Sequence, residues 1–171
     1  ILPGEIASPL HAPGGPVAPL ICYEVLFPDY VRHLVSKGCR YIVNLTNDRW
    51  YGVRQQPKQH LGMAVLRAVE NRKPIARATN SGISAFIDAR GVIAPGNQSP
   101  VMKKTILRGR LYPRTGYTFF TRHGDILHRW LLTPLYFVLC IYAFIISRRS
   151  AQSRARQSSA SLVLRRRKKR R

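Results

Sequence analysis

The stretch "VAPLICYEVLFPDYVRHLVSKGCRYIVNLTND", residues 17–48, has the pattern of a strand, a helix and a second strand. Its first six residues form a short apolar run, which is typical of a buried strand. The middle repeats apolar residues at the spacing of one helix face: Val31, Leu34 and Val35. Gly38 is placed to end that helix in a left-handed conformation. The last nine residues are apolar and then polar, as in a central strand that runs into a loop.

The same alternation continues along the chain. Residues 57–74 predict a helix that begins near Pro57 and ends at Pro74, with one apolar stripe: Leu61, Ala64, Val65 and Ala68. Residues 75–95 predict two β-like runs separated by a "TNSG" turn, then a third around Gly91. Residues 3–16, rich in proline, glycine and small residues, predict a loop or a crossing connection. The order strand, helix, strand, helix, strand, strand predicts an α/β fold with a partly antiparallel sheet.

The C-terminal part differs in kind. Residues 130–147 contain 18 residues without a charge, and at about 1.5 Å per residue such a helix reaches across a hydrocarbon core. A buried core helix is the alternative, but such a helix would usually show a polar stripe. The prediction is a folded part over residues 1–128, a transmembrane helix over 129–148 and a disordered basic tail over 149–171.

About half of the net charge of +22 belongs to the C-terminal end of the chain. Of the 29 Lys and Arg residues, 11 lie between Arg148 and Arg171, where no acidic residue occurs. A basic segment after a membrane span stays cytoplasmic, which places the folded part on the opposite side. The run "RRRKKRR" could also be a nuclear-localisation or nucleic-acid patch. The span explains it more simply, so nucleic acid is not predicted as a partner.

The cysteines indicate neither a metal site nor a disulfide framework. The chain has three, Cys22, Cys39 and Cys140, and no two of them form a C-x-x-C pair. No metal or cofactor is therefore predicted. Cys140 falls within the apolar C-terminal run, where it is expected to pack against lipid or protein.

Cys22 has several features of a nucleophile. It ends an apolar strand and precedes a predicted helix, whose N-terminal amides could stabilise a thiolate, and Glu24 follows two residues later. The alternative is an inert thiol, because free cysteine is among the most buried residue types. A clear general base is missing, since Glu24 alone cannot be assumed to fill that role.

A second polar cluster follows the next strand. Asn47 and Asp48 come at its end, with Trp50 and Tyr51 just beyond. Such a loop can order a substrate, or it can be a turn in which the two polar side chains cap the following backbone. His60 is interpreted as a structural hydrogen-bonding residue rather than a base, because helix geometry is expected to set it away from the strand ends.

Four segments taken together carry a resemblance to a known family. In order they are "ICYEVLFPDYVR", "YIVNLTNDRWYG", "QPKQHLGMAVLRAVENRKPIARATNSGISAFID" and "RTGYTFFTRHGD", and an apolar span follows the last. The chain resembles, over roughly residues 3–147, the C-terminal half of the apolipoprotein N-acyltransferase family. This is a group of bacterial inner-membrane enzymes within the nitrilase, or carbon–nitrogen hydrolase, superfamily. Only the long basic tail looks unlike that family.

The resemblance implies an αββα sandwich and a Glu–Lys–Cys catalytic set. Cys22 matches the nucleophile, and Tyr23 and Glu24 match the pair that follows it and supports the site. Asn47, Asp48 and Trp50 match the loop that lines the pocket. The implied partners are a phospholipid acyl donor and an apolipoprotein acceptor whose N-terminal cysteine carries a diacylglyceryl group. The implied location is the bacterial inner membrane, with the catalytic part on the periplasmic side.

Two other functions remain as alternatives. One is a nitrilase-type amidase acting on a soluble amide, which would need neither the "RTGYTFFTRHGD" segment nor a membrane span. The other is a membrane-tethered basic protein that binds nucleic acid or anionic lipid through its tail. In that case deletion of residues 150–171 should abolish function, whereas the enzyme should lose little.

The family's glutamate base and oxyanion-stabilising lysine lie upstream of the cysteine motif, and Glu5, Lys37 and Lys58 do not match their positions. The opening "ILPGEIASP" without methionine suggests a fragment. We therefore expect these 171 residues alone to be inactive, because without a base the Cys22 thiol stays mostly protonated. Mass spectrometry of the isolated chain after incubation with phospholipid tests this expectation by looking for an acyl group on Cys22. An acyl thioester on Cys22 of the isolated chain would contradict it.

Overall fold

A computed structural model of the chain describes residues 8–51, 54–126 and 128–148. They belong to two units, Ile1–Gly124 and Asp125–Arg171. The first unit contains a β-sheet with helices, and the described residues of the second form one long helix. The tail predicted to be disordered, residues 149–171, lies outside the described residues.

In the part of the chain that the structure describes, five strands form one mixed sheet in chain order: β1 (Leu10–Ala12), β2 (Gly15–Ile21), β3 (Tyr41–Thr46), β4 (Ile75–Thr79) and β5 (Ala85–Ile87). The three central strands are parallel, and the two outer strands pair antiparallel to them. The parallel strands are connected by helices, as parallel pairing requires. The predicted α/β fold with a partly antiparallel sheet is confirmed.

The helices are α1 (Pro28–Ser36), α2 (Gln56–Asn71), α3 (Phe119–His123) and α4 (His128–Arg148). Proline lies in the first turn of both α1 and α2, where its missing N–H costs no hydrogen bond. Gly38 follows α1 with φ +98°, as predicted. The second helix ends before Pro74, because Arg72 takes a left-handed conformation with φ +51°.

Two local predictions are wrong. The predicted loop over residues 3–16 includes β1, which reaches β2 through a tight turn at Pro13 and Gly14, where Gly14 has a positive φ. The β-like run around Gly91 is a turn instead of a strand. There the Asp88 carboxylate accepts hydrogen bonds from the backbone amides of Arg90 and Val92. In a sheet these amides would donate to a neighbouring strand, so the side chain stabilises a turn instead.

The core lies on one face of the sheet. Helices α1 and α2 contact each other and cover that face, where alternate strand residues are buried: Ala18, Leu20, Ile42, Asn44, Ile75 and Arg77. On the opposite face Ile21 is 58% exposed and Leu45 is 49% exposed. Asn44 and Arg77 are the polar members of an otherwise apolar set, and both lie toward the carboxyl ends of their strands.

The segment after the sheet is attached to the end of α2. Lys73 is buried, and its ammonium group donates to the carbonyl oxygens of Arg114 and Gly116, 2.6 and 2.9 Å away. The Thr118 hydroxyl donates to the Glu70 carbonyl and accepts a hydrogen bond from the Thr121 amide at the start of α3. The "RTGYTFFTRHGD" segment is thus fastened to the sheet unit by polar contacts.

Within the described residues, α4 is the one helix long and apolar enough to cross a membrane, with a mean hydropathy of 2.0 over its most apolar 18 residues. Its first turn, His128–Leu132, is π-helical, and none of the apolar window is buried within the chain.

The two faces of β3 make a testable contrast. Ile42→Ala removes a fully buried side chain and should lower the free energy of unfolding by about 2–5 kcal/mol. Leu45→Ala, on the half-exposed face of the same strand, should cost about 1 kcal/mol or less. Denaturant unfolding of the 171-residue chain, in detergent, measures both. Equal losses would contradict the assignment of the core to one face.

Candidate active site

The parallel strands bring three chain segments to one edge of the sheet. Ile21 pairs with Leu45 and Thr46 pairs with Thr79, so the carboxyl ends of β2, β3 and β4 lie level. Cys22 follows β2 directly and comes beside Thr46, whose Oγ1 is 3.4 Å from the cysteine Sγ. The carboxyl edge of parallel strands is where α/β proteins place their sites.

Cys22 has an uncommon backbone conformation. Its φ is +52°, in the left-handed region that non-glycine residues rarely adopt. It begins a 3-10 turn, Cys22–Leu26, that follows the strand at once, and its side chain is partly exposed. The prediction that a helix follows the cysteine is correct, but this short turn separates Cys22 from α1. A strained strand-to-helix turn of this kind presents the nucleophile in α/β-hydrolase enzymes.

Glu24 holds that turn together. Its Oε2 accepts a hydrogen bond from the Ile21 amide at 2.7 Å, and its Oε1 accepts one from the Tyr30 hydroxyl at 3.3 Å. Burial and the Glu24 charge raise the pKa of Tyr30, which keeps that hydroxyl protonated as the donor. The ring of Tyr23 stacks on the His60 ring, with centroids 5.7 Å apart. The hydrogen bond of Glu24 therefore connects the turn to α1, and the ring contact of Tyr23 connects it to α2.

Beneath the cysteine, Asp48 is the centre of a buried polar cluster. Its Oδ1 lies 3.0 Å from Thr46 Oγ1 and 2.8 Å from His60 Nδ1, and its Oδ2 lies 2.9 Å from Arg77 Nη2. Asp48 is only 1% exposed, Arg77 3% and His60 5%. Three elements, β3, α2 and β4, therefore meet at one carboxylate.

The environment keeps this carboxylate ionised. Burial acts to raise the pKa of Asp48, but the hydrogen bond from His60 and the charge of Arg77 outweigh it, and the pKa is lowered. Burial also lowers the pKa of Arg77, against the opposing charge and hydrogen bond of Asp48. Because an ionised carboxylate only accepts, the His60 nitrogen that faces it carries the hydrogen.

Asn44 connects the cluster to the backbone of the cysteine. Its Nδ2 donates to the carbonyl oxygens of Leu20 and Cys22, at 3.3 and 3.4 Å, and its Oδ1 accepts a short hydrogen bond from Arg77 Nη1. Asn44 is fully buried. Two chains of hydrogen bonds therefore connect the guanidinium of Arg77 to Cys22. One runs through Asn44 to the backbone carbonyl of Cys22. The other runs through Asp48 and Thr46 to the cysteine sulfur.

The remaining predicted site residues lie at the surface of the same edge. Asn47 accepts hydrogen bonds from the Arg49 amide and from Asn80 Nδ2, at 3.1 and 2.7 Å, so it caps its own turn and reaches the end of β4. Trp50 is 86% exposed. Tyr23 is 48% exposed and, with Leu26 and His60, lines a shallow groove beside the cysteine turn.

Sequence reasoning missed Thr46, Asn44 and Arg77. The sequence did contain an indication for Arg77. It lies two residues after Ile75 in a short strand, so it is a charged residue on the same face as a buried apolar one. His60 does form structural hydrogen bonds as predicted, but the expected location is wrong: it reaches the loop after β3. Within the described residues no group of three His, Cys, Asp or Glu side chains could hold a metal ion.

Comparisons with known proteins agree with this geometry. The carbon–nitrogen hydrolase family model matches residues 3–108. The apolipoprotein N-acyltransferase of Geobacter metallireducens is 40% identical over 124 residues, which is 72% of this chain and 23% of that protein. The apolipoprotein N-acyltransferase of Photobacterium profundum is 37% identical over 156 residues, 88% of this chain and 28% of that protein.

The fold agrees with a solved structure as well. Nit3 of Saccharomyces cerevisiae, a member of the nitrilase superfamily, superposes with a TM-score of 0.52 at 20% identity, over 61% of this chain and 40% of that one. The chain belongs to the carbon–nitrogen hydrolase family, and the predicted resemblance to apolipoprotein N-acyltransferases is confirmed. It spans about a quarter of the length of the curated relatives it matches.

Gly82 tests how tightly the cluster is held. A Cβ at this position would overlap Asp48 Oδ2, which Arg77 holds in place, so Gly82→Ala should lower the free energy of unfolding by about 1–3 kcal/mol. Gly62→Ala is the control, because apart from the backbone of α2 itself no atom of the described residues lies within 4 Å of its added carbon. It should stabilise α2 by up to about 1 kcal/mol. Thermal unfolding of both variants measures the difference, and equal melting temperatures would contradict the crowding at Asp48.

Proposed function

We propose that this chain forms part of an apolipoprotein N-acyltransferase in which Cys22 carries the acyl group. The observation that supports this most strongly is the position of Cys22, at the carboxyl edge of three parallel strands and in a strained turn that leaves its sulfur partly exposed. Relatives of that name, similar over most of the chain, supply the substrate class.

The proposed reaction has two covalent steps. The Cys22 thiolate attacks an ester carbonyl carbon of a phospholipid, forming a thioester and releasing a lysophospholipid whose alkoxide oxygen takes up a proton. The amine of an N-terminal diacylglyceryl-cysteine then attacks the thioester, forms an amide, and loses a proton as the cysteine sulfur leaves. Such two-step transfer divides one difficult reaction between two easier ones.

The base for the first step is proposed to come from outside these elements. Both oxygens of the Glu24 carboxylate accept hydrogen bonds within its turn, and Asp48 is ion-paired to Arg77 with a lowered pKa, so neither is suited to remove the thiol proton. The resemblance implies a glutamate base and a lysine upstream of the cysteine motif. We propose that they act on Cys22 in the complete enzyme.

We propose different tasks for the residues around the cysteine. Glu24 and Tyr23 support the site by holding its turn against α1 and α2. Asn47 and Trp50 are exposed at the same edge and are proposed to contact substrate. Asp48 is buried, so its proposed task is to position the site from below.

The proposed location is the bacterial inner membrane, with both substrates anchored in the bilayer. The apolar helix α4 supports attachment to that membrane, and the basic residues from Arg148 onward support an orientation with the tail in the cytoplasm. The sheet unit, which precedes α4 in the chain, then lies on the periplasmic side. This arrangement suits an enzyme whose donor and acceptor are both lipids.

Substitution of the cysteine tests the function. In the longest reading frame that contains this sequence, Cys22→Ala should lower acyl transfer from phospholipid to a diacylglyceryl lipopeptide by at least about a thousandfold, because the nucleophile is gone. Mass spectrometry of the wild-type protein with phospholipid alone should detect a hydroxylamine-labile acyl group on the Cys22 peptide.

The matched control is Cys39→Ala. Cys39 is buried in the core and its Sγ lies 3.1 Å from the Leu34 carbonyl oxygen, so this variant should keep its acyl transfer while losing some stability. Transfer that survives Cys22→Ala would disprove the assignment. Hydrolysis of soluble amides without acyl transfer would favour an amidase instead.

A further inference from the structure

The hydroxyl of Thr46 lies between two acceptors and can donate to only one of them. Its Oγ1 is 3.4 Å from Sγ of Cys22 and 3.0 Å from Oδ1 of Asp48. A threonine hydroxyl has one hydrogen and two lone pairs. While Cys22 is a neutral thiol the carboxylate is the stronger acceptor, so the hydrogen points to Asp48 and a lone pair faces the sulfur.

Asp48 does not depend on that hydrogen. Arg77 donates to its Oδ2 and His60 donates to its Oδ1, at 2.9 and 2.8 Å. The carboxylate and the guanidinium side chains are both fully buried, so these two contacts are shielded from competing water. If the Thr46 hydroxyl turned away, each carboxylate oxygen would still have a partner.

We propose that Thr46 is a catalytic residue whose hydroxyl turns from Asp48 to donate a hydrogen bond to the Cys22 thiolate. The inference rests on the proposed role of Cys22 as the nucleophile. Once the thiol has given its proton to a base or to water, the charged sulfur becomes a much stronger acceptor. Rotation about the bond from carbon to the hydroxyl oxygen is enough, because Oγ1 is already within reach of the sulfur.

The charges that face Cys22 make such a donor useful. Glu24 lies in the same turn, Asp48 follows β3, His60 comes from α2 and Arg77 from β4. The charge of Arg77 is largely matched by that of Asp48, with which it is ion-paired. A thiolate at Cys22 is thus an additional negative charge, and Thr46 is the neutral donor that the strand register places next to it.

Thr46→Val tests the inference because it removes the hydroxyl and keeps the shape. In the longest reading frame that contains this sequence, purified in detergent, the rate at which iodoacetamide alkylates Cys22 is measured from about pH 6 to about pH 10 by mass spectrometry of the Cys22 peptide. We expect alkylation about tenfold slower at neutral pH and a profile midpoint about one pH unit higher, as for loss of a hydrogen bond to a charged group.

Two matched variants separate the hydroxyl from general effects of substitution. Thr79 pairs with Thr46 on the neighbouring strand, and its buried Oγ1 has no hydrogen-bond partner within the described part of the chain. Thr79→Val should therefore leave the alkylation profile unchanged. Thr46→Ser keeps the hydroxyl and should preserve the wild-type profile, which a purely structural role of the threonine would not predict.

The inference is overturned if Thr46→Val keeps the wild-type profile, or if Thr46→Ser is as slow as Thr46→Val. Should the valine variant fail to fold, Thr46→Ala removes the same hydroxyl without adding a branched apolar group beside Asp48, and the same result is expected. Alkylation needs no lipid, so it separates the two proposals. Slowed alkylation in a protein that never forms an acyl thioester supports the role of Thr46 and contradicts the proposed function.

Discussion

The ion pair between Arg77 and Asp48 is the interaction on which the rest of the site depends. Both side chains are fully buried, and breaking such a pair by removing one partner costs about 3–5 kcal/mol because a charge is left without compensation. The pair also joins β4 to the loop after β3, and through His60 it joins both to α2. One carboxylate therefore determines how three elements meet beneath Cys22.

The turn at Cys22 has a conformational cost that the surrounding contacts offset. A positive φ at a non-glycine residue costs of order 1–3 kcal/mol and persists only when neighbours hold it. Glu24 fastens the turn from one side through the Ile21 amide, and Asn44 fastens it from the other through two carbonyl oxygens. In this turn the sulfur of Cys22 lies 3.4 Å from Oγ1 of Thr46.

Predictions from the sequence succeeded where local patterns are strong and failed where side chains decide. The helix after Pro57 was predicted because its apolar period is clear, and α4 because its composition leaves little choice. The turn at Asp88 was predicted as strand, because apolar residues flank it and the capping by its carboxylate has no period. The predicted location of His60 was wrong. The apolar face of a helix indicates which residues are buried, but it does not indicate which residue a buried side chain contacts.

The sequence by itself determined the alternation of strands and helices, the apolar span, and the ordered motifs that indicate the family and its cysteine. Only the tertiary structure decided that Asp48 would meet Arg77, 29 residues away, and His60, 12 residues away. The physical reason is register. The pairing of Thr46 with Thr79 sets β3 and β4 level, and a slip of one residue would turn their inward side chains to the other face. No local pattern specifies that alignment.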